Sequence, residues 1–276
     1  MDRRELTRRL TAAIAAAGVR FPWRGRERLG RIGIQLYTVR SLMARQPERT
    51  LTALKAIGYG EVEFAGYGRM KAAEVKAMLG RVGLTAPAGH VDISLLGDRW
   101  PATVKFMREA GHQYLVVGWI PPEERQRLDQ FRSLAARLNQ AAEAARTAGL
   151  RFAYHNHDYE FAALDGRRPY DTLLEETNRE LVELELDLYW VMKSGGDPLT
   201  YFAAWPGRFP MVHVKDMDRQ PTHGMVDVGR GTIDFARIFK AAPSAGVKHF
   251  FVEHDEPKDP MATARASYDY LRRLEY

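Results

Sequence analysis

The sequence predicts an α/β protein, a (β/α)8 TIM barrel preceded by a basic N-terminal extension. From Arg31 onward, eight short apolar runs alternate with longer segments of helical periodicity, as in β/α units around a parallel sheet. The 245 residues that follow Arg31 in this 276-residue chain are also close to the length of about 250 residues typical of one such barrel. Both observations favour a single barrel over several smaller domains.

The strand candidates recur along the whole body of the chain. In order, they are residues 31–39, 60–66, 84–92, 113–119, 150–157, 182–190, 211–216 and 249–255.

Segments between the strand candidates have the spacing of amphipathic helices. Phe131, Leu134 and Leu138, for example, recur three and four residues apart. Several of these segments end in a glycine before the next strand, such as Gly149 in TAGLRF, because glycine tolerates the left-handed conformation of a helix C-cap. Without a linker or a shift in composition, residues 31–276 are predicted to form one barrel domain and residues 1–30 the extension.

The positions of the glycines argue against a nucleotide-binding sheet, which is the alternative to the barrel. The first strand candidate runs into LYTVRSLM and not into a G-x-G-x-x-G loop. The sequence VGRGTID (228–234) is rich in glycine but lacks the Lys-Ser/Thr of a phosphate loop, so we interpret it as a connection between strand seven and its helix.

The net charge of +6 belongs entirely to the N-terminal segment. Residues 1–31 contain nine arginines and three acidic residues, so the rest of the chain is balanced. Because the chain after Arg31 has no net charge, it offers no evident positive potential to attract phosphate groups. We therefore expect no nucleic-acid partner. The chain has no cysteine, which excludes disulfides and thiolate sites and leaves His, Asp and Glu as metal ligands.

The N-terminus carries a possible export signal. Arg3 and Arg4 precede the short apolar stretch TAAIAAAGV, which resembles a weak twin-arginine signal; the alternative is a basic helix on the surface of the barrel. We expect a cytoplasmic protein, with periplasmic export as the alternative. No apolar run reaches the roughly 18 residues of a transmembrane helix.

Potential metal ligands collect where the last four strands end. The active face of such barrels lies at the C-terminal strand ends, and parallel strands are normally apolar on both sides. Carboxylates with imidazole suit Mn²⁺, Mg²⁺, Fe²⁺ or Co²⁺, and Zn²⁺ is also possible. The residues are His155 and His157 in strand five, Asp187 in strand six, His213 in strand seven and Glu253 in strand eight.

The order of several short segments resembles a known family. The chain resembles the xylose isomerase-like sugar phosphate isomerase/epimerase family over about residues 31–274, through the segments GIQLYTVR, EVEFAG, YHNHDYEF, LDLYWV, HVKD and VEHDEP. The resemblance implies one divalent metal, with Mn²⁺ or Mg²⁺ expected first, bound by Asp187, His213 and Glu253. Where the family has a strand-five glutamate, this chain has His155, and either His155 or Glu160 would complete the set. We favour Glu160, which leaves His155 for proton transfer.

Other residues at the strand ends are candidates for catalysis and substrate binding. His155 and His157 would form an acid/base pair, and Lys215 would neutralise an oxyanion, unless it is bound to Asp216 or Asp218. An aromatic platform with hydrogen-bonding groups suits a carbohydrate ring, although buried packing is an alternative for each tryptophan. The predicted substrate-binding residues are Tyr37, Glu63, His90, Trp119, Trp190 and Arg230.

These features predict a divalent-metal-dependent isomerase or epimerase of a sugar or keto-sugar that acts through an enediolate. The main alternative is a lyase, such as an inosose dehydratase, because the histidine in place of the strand-five glutamate resembles branches of the family with that activity. A carbohydrate-binding barrel without activity is a further alternative. An endonuclease on the same barrel would need more histidines than this chain has. A small carbohydrate is the expected partner, and a homo-oligomer is left open.

Overall fold

The computed structural model describes residues 27–276 and contains a closed barrel of eight parallel strands. Each strand pairs with its neighbour in the chain, and the last strand pairs with the first. The predicted (β/α)8 barrel is thereby confirmed. The strands are β1 (Gly33–Gln35), β2 (Glu61–Phe64), β3 (Thr85–Val91), β4 (Tyr114–Val117), β5 (Arg151–His155), β6 (Val182–Asp187), β7 (Met211–Val214) and β8 (His249–Val252).

Helices lie outside the barrel and cover its outer face. Their buried sides carry the residues that the sequence periodicity singled out, among them Phe131, Leu134 and Leu138. The helices are α1 (Arg40–Met43), α2 (Pro47–Ile57), α3 (Ala72–Val82), α4 (Trp100–Ala110), α5 (Leu128–Thr147), α6 (Pro169–Glu176), α7 (Leu188–Lys193), α8 (Pro198–Ala204), α9 (Phe235–Ala245) and α10 (Pro260–Leu271).

All eight predicted strands are present, but most are shorter than the sequence indicated. The clearest difference is in strand six, which ends at Asp187 and not at Trp190. The Asp187 carboxylate accepts a hydrogen bond of 3.0 Å from the backbone N–H of Trp190 and caps α7, so the apolar residues after it are helical. Strand one likewise gives way to a 3-10 turn at Leu36.

An apolar layer fills the middle of the barrel. Alternate residues of the strands form this layer, and the residues between them point outward and pack against the helices. Gly33 leaves room for this layer, because a Cβ atom there would lie 2.5 Å from the ring of Phe251. The layer consists of Ala88, Tyr114, Val116, Ala153, Met211 and Phe251.

The VGRG segment is a loop before α9, as the sequence indicated. The carboxylate of Asp216 holds it in place by accepting hydrogen bonds from the backbone N–H groups of Gly229, Gly231 and Ile233. A Cβ atom at Gly231 would lie 2.2 Å from that carboxylate, so the close approach requires glycine.

The described chain begins just before the barrel. The backbones of Glu27 and Tyr276 exchange two hydrogen bonds, which join the start of the described region to the C-terminus. The possible export signal and most of the predicted extension lie outside the described residues. Within residues 27–276, no helix has the length and apolar character that crossing a membrane requires.

Candidate metal and active site

Strand alternation places a layer of polar side chains directly above the apolar layer. On four strands, a polar residue follows an interior apolar residue by two positions and therefore points the same way. These pairs are Ala88 and His90, Ala153 and His155, Met211 and His213, and Phe251 and Glu253.

One set of ligand atoms, which we call the outer group, comprises Asp187, His213 and Glu253. His213 Nδ1 lies 2.7 Å from Glu253 Oε2 and 3.9 Å from Asp187 Oδ2. All three residues are buried, and burial raises the pKa of Asp187 to about 6. These are the three ligands that the resemblance implied, and the structure brings them together.

The outer group fits a divalent cation. Asp187 Oδ2 lies 3.0 Å from the Lys215 ammonium, and His213 Nδ1 lies 2.7 Å from Glu253 Oε2. Both atoms are buried, but neither makes a hydrogen bond of good geometry within the described part of the chain. Two carboxylates and one imidazole offer the mixed oxygen and nitrogen donors that divalent metals accept.

A second set of ligand atoms, the inner group, comprises His90, His155, Glu185 and His213. Glu185 Oε2 lies 2.9 Å from His90 Nε2, 3.1 Å from His213 Nε2 and 3.3 Å from His155 Nδ1. His213 therefore belongs to both groups, through opposite nitrogens of its ring. The three partners of Glu185 come from three other strands.

Glu63 lies beside the inner group. Its Oε2 atom accepts a hydrogen bond of 2.8 Å from the Gln35 amide and lies 2.7 Å from His213 Nε2 and 3.4 Å from His90 Nε2. Glu63 is fully buried. The structure therefore places Glu63 and His90, predicted to bind substrate, next to the candidate metal ligands.

Glu160 does not join the outer group, contrary to the expectation from the sequence. Its carboxylate accepts hydrogen bonds from the Tyr154 hydroxyl at 2.5 Å and from the backbone N–H of His157 at 2.9 Å. Tyr154 alternates with His155 and packs outward, which holds Glu160 on that side. The strand-five residue that faces the outer group is His155, whose Nε2 lies 3.8 Å from Asp187 Oδ2.

His157 follows the end of β5 and lines the cavity above the metal groups. Its ring stacks on Tyr159, with centroids 5.4 Å apart, and its Nδ1 lies 3.5 Å from the Tyr159 hydroxyl. Burial, followed by the charges of His155 and Lys215, holds its pKa well below the usual value. The folded state therefore favours the neutral imidazole of His157.

Lys215 connects the outer group with the cavity. Its ammonium forms ion pairs of 3.0 Å with Asp187, 2.8 Å with Glu253 and 2.9 Å with Asp255. The alternative pairing with Asp216 or Asp218 is not observed, because Asp216 anchors the glycine-rich loop. Sequence reasoning missed Asp255, although it ends the VEHD segment two residues after Glu253.

A cavity of about 1070 Å³ opens above the polar layer. Tyr37 and Trp119 are among its lining residues and remain 42% and 49% exposed, as an aromatic platform at the rim would be. Trp190 lies outside the lining, with its ring 5.6 Å from the Lys215 ammonium. Arg230 is exposed, lies outside the cavity and faces Asp227 at 3.6 Å, so the structure does not bring it to the site.

The remaining histidines include one with a clear structural role. His112 is buried, with Nδ1 2.8 Å from the carbonyl of Ala86 and Nε2 3.0 Å from the Tyr67 hydroxyl. Burial lowers its pKa below 6.5. The folded state therefore favours the neutral ring.

We expect His112 to make folding stability depend on pH. Because the unfolded chain binds the proton more readily, the free energy of unfolding falls as the pH drops below about 6.5. A His112→Gln variant loses this contribution, so its stability deficit relative to the wild type should shrink between pH 7.5 and pH 5.5. Urea denaturation at both pH values measures the difference, and a constant deficit would contradict the assignment.

Sequence and structure comparisons agree with the geometry of this barrel. Residues 51–274 match the family model of the xylose isomerase-like TIM barrel. Inosose dehydratase from Lacticaseibacillus casei is 28% identical over 163 residues, and this match spans about half the length of each protein. Inosose dehydratase from Geobacillus kaustophilus is 23% identical over 82% of this chain and 87% of its own.

A solved structure shows the same architecture. A sugar phosphate isomerase/epimerase from Parabacteroides distasonis superimposes with a TM-score of 0.77 at 26% identity and covers 91% of this chain and 99% of its own. The family model covers most of the chain, and the barrel carries polar groups at its C-terminal strand ends. The chain therefore belongs to the xylose isomerase-like TIM barrel family.

Proposed function

We propose that this protein is a divalent-metal-dependent lyase that removes water or another substituent from a keto-sugar or keto-polyol. The proposed reaction begins with removal of a proton from the carbon beside the carbonyl group. A substituent on the next carbon then leaves, and a double bond forms.

The observation that carries this proposal is the different placement of the two predicted catalytic histidines. Both histidines line the cavity, but His157 is only partly buried, whereas His155 is 2% exposed and its ring nitrogens lie 3.3 Å from Glu185 and 3.8 Å from Asp187. Epimerisation requires proton transfer on both faces of one carbon. His157 lines the cavity without an ion pair to a carboxylate of the described residues, and such an imidazole suits a reaction in which a single group moves the proton.

The roles of the other residues follow from their positions. Asp187, His213 and Glu253 would hold the metal, which when bound stabilises the negative charge that develops on the carbonyl oxygen. His157 would accept the proton at Nε2, since Nδ1 lies beside the Tyr159 hydroxyl. The same proton would then leave with the departing hydroxyl as water, so that the histidine ends the cycle neutral.

One further observation supports elimination over isomerisation by the same base. The curated relatives from L. casei and G. kaustophilus are named inosose dehydratases. Sugar isomerisation remains the second candidate, because the P. distasonis structure is named an isomerase/epimerase.

Proton NMR in D₂O separates these activities. The protein is incubated with Mn²⁺ and a panel of inososes and 3-keto-glycosides, and both C–H exchange and the loss of water or alcohol are followed. We expect elimination with at least one substrate. Exchange together with isomerised product and no elimination would replace the lyase by an isomerase, and neither signal on any substrate would favour a binding protein without activity.

A further inference from the structure

The inner group has the dimensions of a metal site of its own. In a tetrahedral zinc site with bonds of about 2.0–2.1 Å, the donor atoms lie roughly 3.4 Å apart. The three ring nitrogens of the inner group lie 2.9, 3.1 and 3.3 Å from Glu185 Oε2, and all four atoms lie within 4.8 Å of one another. Three imidazoles with one carboxylate are a donor set that Zn²⁺ and similar ions accept.

Buried polar atoms without hydrogen bonds surround the same point. His155 Nδ1, Glu185 Oε1 and Glu63 Oε1 make no hydrogen bond of acceptable geometry to any described residue. The three side chains are between 0 and 2% exposed, so water in bulk does not satisfy them. Leaving such groups unpaired costs free energy, and a cation among them would remove much of that cost.

The inner group also carries two negative charges. Glu63 and Glu185 bring two carboxylates into the barrel interior above an apolar layer, where each lies within ion-pair distance of His90 and His213. Lys215, the nearby ammonium, is engaged with Asp187, Glu253 and Asp255 on the side of the outer group. A divalent ion in the inner group would neutralise both glutamates.

We propose that the barrel holds a second divalent ion of the zinc type, bound by His90, His155, Glu185 and His213 beneath the outer group. Glu63 lies within hydrogen-bond distance of His213 and His90 and would supply the second negative charge beside the ion. This site goes beyond the proposed function, which needs only the ion of the outer group.

His213 would join the two ions through opposite ring nitrogens. Its Nε2 faces Glu185 at 3.1 Å and its Nδ1 faces Glu253 at 2.7 Å. Simultaneous binding requires that both ring protons pass to solvent, which leaves an imidazolate between the ions. Filling the second site therefore releases a proton that filling one site alone does not.

Metal counting on site-specific variants tests the proposal. The full-length protein and its variants are loaded with Zn²⁺, freed of excess ion and measured by plasma mass spectrometry. We expect two ions per chain in the wild type, one in His90→Ala, one in Asp187→Asn and none in the double variant. One ion in both the wild type and His90→Ala would overturn the inner site.

Two additional measurements keep the result interpretable. His112→Gln is the matched control, because it changes a buried histidine outside both groups and should retain two ions. Circular dichroism checks the fold, and if His90→Ala does not fold, His90→Gln takes its place. Catalytic assays do not enter this test, so a failure of the proposed lyase activity would leave the ion count unchanged.

Discussion

Replacing Asp187 with asparagine should remove one bound metal ion per chain and lower turnover by at least about 10³-fold. Asp187 is fully buried, and its Oδ2 atom faces the point where the ligands of the outer group converge. An amide retains the shape but loses the negative charge, and a buried metal site depends on that charge. Metal counting and steady-state kinetics on the substrate identified by NMR measure the two effects.

The asparagine variant is suited to this test because it should still fold. The Oδ1 atom of Asp187 accepts the hydrogen bond from the backbone N–H of Trp190 that begins α7, and an asparagine oxygen can accept the same bond. Asp98→Asn, an exposed position, makes the same chemical change outside the site and should behave as the wild type. An Asp187→Asn protein with unchanged ion content and turnover would contradict the assignment of the outer group.

The positions of the strands could be predicted because hydrophobic patterning fixes them locally. The apolar runs mark all eight strands, and the closed order of the barrel agrees with the prediction. The ends of the strands could be predicted less accurately than their positions. After Asp187, the residues LYWV are apolar enough for a strand, but they begin a helix that the Asp187 carboxylate caps.

The outer group could also be predicted, since its ligands lie at strand ends in recognisable segments. Glu160 shows where this reasoning fails. Its distance of five residues from His155 is compatible with either side of the strand, and the hydrogen bond from Tyr154 places it on the outer side.

The inner group depends on contacts that no local pattern reveals. Glu63 and His213, for example, are 150 residues apart in the chain but 2.7 Å apart in the barrel. Only the closure of the sheet brings such residues together.

Replacing His157 with glutamine should lower kcat by roughly 10²–10⁴-fold, the usual contribution of a general base. The ion content should remain that of the wild type, because the His157 side chain belongs to neither metal group. The backbone N–H that binds Glu160 is kept in the variant, so the loop after β5 should retain its position. The decisive measurement is C–H exchange in D₂O, which should slow by the same factor as kcat.

Two outcomes would assign the proton transfer elsewhere. Unchanged exchange with slow elimination would mean that His157 acts only on the leaving group, and unchanged rates of both would remove it from the reaction. His249→Gln is the matched control. His249 lies at the start of β8, at the opposite end of the barrel, where its Nδ1 is 3.0 Å from Glu61 Oε1. Because this position is separated from the site by the apolar layer, we expect the control to keep wild-type rates of exchange and elimination, so that a loss confined to His157→Gln reflects the missing base.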